Sequence, residues 1–255
     1  RDLGLAAELL QEAVAQKRRI LIWGDCDVDG QTATALLKDG LTRLGLAPAY
    51  YVPHRLRESH GILVESLAAQ LEAVQPDVLL TCDTGITAHE AVDYARARNL
   101  TVIVTDHHDL AESLPSAHAV VNPKRLPSAH PLRSLPGVGV AYKLMQALCA
   151  RYDRAAEVEE LLDLVALGIV ADVAELTGDT RYLLQIGMGY LRQTRRLGLQ
   201  MLFEVAGILP EHITAEDIGF QLGPRLNAVG RLGDATQAVE LLTTDDPIQA
   251  RVTAT

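Results

Sequence analysis

The sequence predicts an α/β protein: a parallel sheet flanked by helices, followed by a mostly helical part that folds back toward the sheet. Three observations predict it. Short apolar runs rich in Val, Ile and Leu alternate with segments of helical periodicity over the first half of the chain, the pattern of βαβ units. Three of those runs end abruptly in acidic or histidine-bearing clusters, which places polar chemistry along one edge of a sheet. Beyond residue 130 the strand signals stop and helical spacing takes over.

Taken in order, residues Leu3 to Gln16 have the spacing of an amphipathic helix, and Ile20–Trp23 reads as a buried strand. Gln31 to Leu44 is helical and ends at Gly45, a residue suited to a helix C-terminus. Ala49–Val52 forms a second strand, Leu63 to Val74 a crossover helix and Val78–Thr81 a third strand. A helix from Ala88 to Ala97, a strand at Thr101–Thr105 and a short strand at Ala119–Val121 complete the sheet. A proline-rich loop after Asn122-Pro123-Lys124-Arg125 leads into Leu135-Pro136-Gly137-Val138-Gly139-Val140. Helices are then expected at Ala141–Arg151, Val158–Ala171, Thr180–Thr194 and Gly198–Ala206. Residues 1–235 are expected to form one catalytic domain, with its sheet part at about 1–130 and its helical part at about 131–235. Residues 236–255 read as the start of a linker helix to a further domain, so the chain is expected to be a fragment of a longer protein.

Composition narrows the class. Of 255 residues, 48% are hydrophobic and only 4% aromatic, as in an Ala/Leu/Val-rich α/β protein. No apolar run approaches the roughly 18 residues of a membrane span, and no signal peptide is evident, so a soluble, cytoplasmic protein with no membrane partner is expected. Three cysteines, Cys26, Cys82 and Cys149, form no disulfide framework or paired zinc motif. The net charge of −10 argues weakly against a nucleic-acid partner. Clustered carboxylates whose charge bound cations would cancel weaken that objection, as do local arginines within Pro53–Arg57 and Gly223–Arg231.

The chemistry sits where the strands stop. Asp25, Asp27 and Asp29 follow the first strand, Asp83 the third, and Asp106, His107 and His108 the fourth. Carboxylates this dense repel one another and call for a cation. Asp27 and Asp29 are spaced to reach different ions, and Asp83 could bridge two with its two oxygens. His107 adds a nitrogen, and Asp172, after the apolar run Leu161–Val170, closes the shell. Oxygen and imidazole ligands without thiolate fit Mn²⁺ or Mg²⁺ better than structural zinc. Two such ions about 3.5 to 4 Å apart suit a phosphoryl displacement, so the residues point to a metal-dependent hydrolase. Bland readings stand beside this one. A lone Asp at a strand end is commonly a turn former or N-cap, which would suffice for Asp25 or Asp106. Gly137 and Gly139 could cradle a phosphate at a helix start or simply make a tight turn. Cys26 and Cys82, between ligands, are expected to pack in the core.

These motifs resemble a known family. Asp25-Cys26-Asp27-Val28-Asp29-Gly30, Asp83-Thr84-Gly85, Asp106-His107-His108 and Gly168-Ile169-Val170-Ala171-Asp172-Val173 are similar to the four motifs of the DHH phosphoesterase superfamily. Within it, Leu135–Ala141 and Gly223-Pro224-Arg225-Leu226-Asn227-Ala228-Val229-Gly230-Arg231-Leu232 resemble the RecJ-like exonucleases, which degrade single-stranded DNA from the 5′ end. The resemblance covers nearly the whole chain and implies manganese ligands at Asp27, Asp29, Asp83, His107 and Asp172, two ions being expected. It implies a phosphate contact for His108, and makes Asp83, His107 and His108 the catalytic candidates. Arg55, Arg57, Arg225, Asn227 and Arg231, with Gly137 and Gly139, become candidates for substrate binding. Two positions depart from the pattern. Cys26 stands where an aromatic is expected, and Trp23 where pyrophosphatase-like relatives carry a histidine ligand, so that Asp25 is a candidate to help hold a metal. The resemblance implies repair and recombination on single-stranded DNA, with a helicase and a single-strand-binding protein as partners. The alternatives are a phosphodiesterase acting on short oligonucleotides or cyclic dinucleotides, and a non-catalytic DNA-binding scaffold.

Overall fold

The computed structural model describes residues 1–54, 58, 61–232 and 235–255. Five strands form one parallel sheet: β1 (Ile20–Trp23), β2 (Ala49–Tyr51), β3 (Val78–Thr81), β4 (Thr101–Thr105) and β5 (Ala119–Val121), ordered β2-β1-β3-β4-β5. Alternation divides the strand residues between two apolar layers. Ile20, Ile22, Val78, Leu80 and Ile103 face α1 (Leu3–Ala15), α2 (Val28–Arg43) and α5 (Gly137–Ala150). Leu21, Trp23, Leu79, Val102 and Val104 face α3 (Val64–Val74) and α4 (His89–Arg96). Both faces being covered, β1 and β3 are buried at every residue, which is why they read as unbroken apolar runs.

Two helices begin earlier than their sequences suggest. α2 starts at Val28, not Gln31, because the Asp27 side chain accepts the Gly30 N–H at 3.0 Å as an N-cap, which leaves Asp29 inside the first turn. α5 starts at Gly137, so the Gly-Val-Gly segment is its first turn and not a preceding loop. Gly45, at φ +87°, does end α2 as expected.

The helical part comprises α5, α6 (Leu162–Ala171), α7 (Gly178–Arg192) and α8 (Leu197–Ala206), with a 3₁₀ stretch at Ala155–Leu161 before α6. α2 packs against both α5 and α6, which brings the end of α6 back to the sheet edge as expected. An ion network ties the far ends of the same helices. Arg196 donates from Nε to Asp163 of α6 at 3.0 Å and from Nη2 to Asp39 of α2 at 2.6 Å. Where the sequence suggests the start of a single linker helix over 236–255, there are two short helices, α10 (Thr236–Thr243) and α11 (Pro247–Ala254), after α9 (Gly223–Leu232). Asp246 caps α11 and Pro247 opens it, which forces the break. Ala238, Val239, Leu241 and Leu242 are buried, so this segment packs as part of the body. Among the described residues no helix is long and apolar enough to cross a membrane.

Candidate metal centre

The strand order fixes where chemistry collects. From β1 the chain crosses one way to β2 and the other way to β3, and a parallel sheet opens a crevice at the carboxyl ends where the direction reverses. Asp25, Asp27 and Asp29 leave β1, and Asp83 leaves β3 beside them. Glycines then let two helices close on the crevice. A Cβ on Gly137 would lie 2.5–2.7 Å from three atoms of Asp83, and one on Gly168 would lie 2.9 Å from Asp29 Oδ1.

Asp29 is buried and accepts two amide hydrogens from the start of α5, Gly137 N–H at 2.6 Å and Val138 N–H at 2.8 Å. Even so, burial and the nearby carboxylates of Asp172 and Asp27 push its pKa well above the usual range. Asp83 is buried too, and burial with the charge of Asp29 raises it likewise. Its backbone is left-handed at φ +61°, a conformation that stores strain in a non-glycine residue. His107 Nε2 lies 3.1 Å from Asp83 Oδ1 and 3.7 Å from Asp29 Oδ2. The contact with Asp83 lacks hydrogen-bond geometry, and Asp83 Oδ1 has no hydrogen-bond partner among the described residues. Burial and neighbouring His108 bring His107 down to about 4, so near neutral pH its ring is uncharged and supplies no counter-ion.

Buried carboxylates converging on a neutral imidazole are costly unless a cation joins them. Three sets of ligand atoms lie within 4.8 Å of one another: Asp29 with His107 and Asp172, Asp25 with Asp27 and Asp83, and Asp83 with His107 and His108. Asp83 and His107 each belong to two sets, so the sets overlap as ligands around two neighbouring ions would. Asp172, at the C-terminal end of α6, is raised to about 6 by burial and by Asp27. All five expected ligands, and Asp25, therefore meet in one crevice. Hard oxygen and imidazole donors, with one carboxylate oxygen unpartnered, fit Mn²⁺ or Mg²⁺.

Asp106, for which a turn-forming role would have sufficed, organises the rim. Its carboxylate accepts from the backbone of Ile86 at 2.8 Å and of His107 at 2.7 Å, and pairs with His108 Nδ1 at 2.8 Å. That bond lifts His108 to about 9, so the half-exposed ring carries positive charge at neutral pH. For Asp106, burial pulls the pKa up, but the bonds to His108 outweigh it and hold the group below its ordinary value. Cys26 and Cys82 are buried core residues as expected, the Cys82 thiol pushed up to about 12 by burial. Trp23 packs on Tyr51 with ring centroids 4.6 Å apart.

The substrate-binding candidates divide. The Gly137 N–H is committed to Asp29, so the start of α5 orients that carboxylate and this amide does not stand open to a phosphate. Gly139 faces Leu135, whose Cδ2 would lie 2.9 Å from an added Cβ. Arg225 is exposed on α9, with Nη1 donating to the Gln221 carbonyl at 2.8 Å, and Asn227 is half-buried nearby. Gln31, which sequence reasoning missed, ties this segment to the aspartate loop, its Nε2 donating to Cys26 O at 2.8 Å and Leu226 O at 3.5 Å. Only its place four residues after Asp27 hinted at such a role. Arg55, Arg57 and the Arg231 side chain lie outside the described residues.

A five-stranded parallel sheet with acidic and imidazole ligands at its switch point defines a class, and comparison with known proteins agrees. The DHH family, N-terminal domain, matches residues 19–169, and the chain belongs to this family. Its relatives include the single-stranded-DNA-specific exonuclease RecJ of Dickeya dadantii, 42% identical over 98% of this chain and 45% of that protein. RecJ of Thermus thermophilus is 40% identical over 96% of this chain and 36% of that protein. A crystal structure of exonuclease RecJ bound to manganese superposes with a TM-score of 0.92 at 38% identity, covering all of this chain and 64% of that one. The chain thus spans less than half the length of these curated relatives.

Proposed function

We propose that this chain is the catalytic core of a divalent-metal-dependent phosphodiesterase that hydrolyses single-stranded DNA from its 5′ end to mononucleotides, in repair and recombination. One observation carries the reading. Asp29, Asp83 and His107 converge at 3.1–3.7 Å with a buried carboxylate oxygen left unpartnered, an arrangement that needs cations. The named activity of the RecJ relatives and the RecJ structures solved with manganese and with magnesium support it. Asp27, Asp29, Asp83, His107 and Asp172 would hold two ions, Mn²⁺ first and Mg²⁺ as the alternative, with Asp25 adjoining. Bound there, the ions would supply charge stabilisation at the phosphoryl oxygens.

The rest follows from the chain's own groups. The amides of Gly137 and Val138 fix Asp29 in one orientation, so the ligand set is organised before substrate arrives. His108, held by Asp106 and positively charged at neutral pH, faces solvent at the rim, where it can donate to a phosphate oxygen. Arg225, exposed on α9, offers a contact to the phosphodiester backbone that carries no base information. A cytoplasmic setting, with a helicase and a single-strand-binding protein delivering the strand, completes the proposal.

The test is digestion of end-labelled single and double strands with Mn²⁺ and with chelator. Mononucleotide release from 5′ ends of single strands, in Mn²⁺ alone, is expected. Equal attack on duplexes, or release unaffected by chelator, would overturn the reading.

A further inference from the structure

Beside the metal centre the chain makes an unusual turn. After a capped turn at Ala215–Asp217, residues Ile218–Leu222 form a π-helical turn that runs directly into α9. Ile218, Leu222 and Leu226 are buried, while Phe220, on the other side of the same turn, is 79% exposed. The turn is pressed against the end of α6. A Cβ on Gly219 would touch Val170 at 3.7 Å, and one on Gly223 would touch Ala171 at 3.9 Å. Asp172 is the next residue. Immediately after it Val173 is 86% exposed and left-handed at φ +56°, a conformation costly for a β-branched side chain. Two apolar side chains therefore face solvent near the helix end that delivers the candidate ligand Asp172, one directly after it and one on the turn packed against it. Single exposed apolar residues are ordinary. A π turn and a strained residue flanking one ligand are not, since both devices concentrate at working sites.

We infer that Phe220 is a base-stacking residue: its ring forms a shelf for a nucleobase of the single strand whose phosphates reach the metal centre, with Val173 as a second apolar contact. The inference rests on the proposed nuclease reading and adds to it how an acidic chain grips a polyanion. Arg225, exposed on the helix that continues from the π turn, meets the backbone charge while Phe220 meets the neutral face of a base. Every base has such a face, so the shelf tolerates any sequence, as an enzyme that moves along a strand requires. The tie from Gln31 to Leu226 holds the shelf in register with the aspartate loop.

The test uses two probes: a 5′-phosphorylated oligothymidylate, and the same sugar-phosphate backbone with every base removed. Binding is read by fluorescence anisotropy with Ca²⁺ in place of Mn²⁺. The wild-type chain is expected to favour the base-bearing strand by on the order of tenfold. Phe220→Ala should erase that preference, Phe220→Trp should keep it, and neither should change the salt slope. Arg225→Ala should instead lower the slope by about 0.7 and keep the preference. Should Phe220→Ala fail to fold, Phe220→Leu, which keeps apolar bulk without a ring, carries the same comparison. Full base preference in the ring-less variant would overturn the inference. So would equal losses on both probes with a changed elution volume, which would assign Phe220 to a protein interface. A wild-type chain that binds both probes equally would remove the shelf and leave the nuclease reading standing, whereas one that binds neither would remove both.

Discussion

Replacing Gly137 by alanine tests how the metal centre is built. The added Cβ would sit 2.5 Å from Asp83 Oδ1, 2.6 Å from its Cβ and 2.7 Å from its Cγ. Carbon contacts settle near 3.5–4.0 Å, so either Asp83 or the start of α5 must retreat by about 1 Å. Asp83 has little room, because it is buried and held left-handed between β3 and the helices. If α5 retreats, the 2.6 Å bond from the Gly137 N–H to Asp29 is stretched as well. Overpacking of this kind costs about 1–3 kcal/mol of stability, and a displacement of about 1 Å at a reacting centre costs about 100-fold in rate. Gly139→Ala is the matched control, since its Cβ meets chiefly the movable end of Leu135 at 2.9 Å. Thermal unfolding in chelator, Mn²⁺ titration calorimetry and single-strand hydrolysis should be measured on both. Gly137→Ala is expected to stay folded, melt lower, and lose at least tenfold in Mn²⁺ affinity and about 100-fold in rate. Equal effects of the two substitutions, or an unaltered Mn²⁺ affinity in Gly137→Ala, would refute the reasoning.

Other expectations follow from the same geometry. His107→Ala should weaken Mn²⁺ binding in calorimetric titration, while His108→Ala should mainly lower the hydrolysis rate; equal metal affinities in the two would remove that division. Asp29, Asp83 and Asp172 all have folded pKa values above those of the unfolded chain, about 6 for Asp172. Their contribution to metal-free stability is full below the unfolded carboxylate pKa of about 4 and is lost as pH rises through about 6 and beyond. The gain in melting temperature from added Mn²⁺ should therefore grow between about pH 5 and about pH 8, because the ligands must shed protons to bind; a gain independent of pH would count against these assignments. Arg196→Met removes the partner shared by Asp39, which keeps Arg43, and the buried Asp163, and a denaturant titration should show a loss of about 1–3 kcal/mol.

The fold, and the crevice where the candidate ligands meet, were legible in the sequence for physical reasons. β1 and β3 are buried on both faces, so their apolar runs are unbroken, and the carboxylates stop them at the crevice. What escaped notice depended on particular side-chain contacts. The early start of α2 turns on a side-chain cap at Asp27, and the start of α5 on its amides finding Asp29, more than a hundred residues away in sequence. The Asp27 cap is local, and an aspartate before a helix is its ordinary sign, whereas the contact with Asp29 has no local signature, so the sequence leaves Gly137 and Gly139 between a phosphate cradle and a tight turn. The sequence leaves Asp106 between a turn former and the first residue of the Asp-His-His motif, and its bonds to Ile86, His107 and His108, which set the rim, are not written in it. The π turn at Ile218–Leu222 was equally hidden, since Phe220 carries an apolar side chain that faces solvent.

The measurement that bears most directly on the account is the number of Mn²⁺ ions bound per chain, by calorimetric titration of the wild type and of Asp83→Ala. Two ions are predicted for the wild type. For Asp83→Ala, fewer ions or much weaker binding is predicted, with the fold retained by circular dichroism. No binding to the wild type, or an unchanged stoichiometry and affinity without the Asp83 carboxylate, would contradict it.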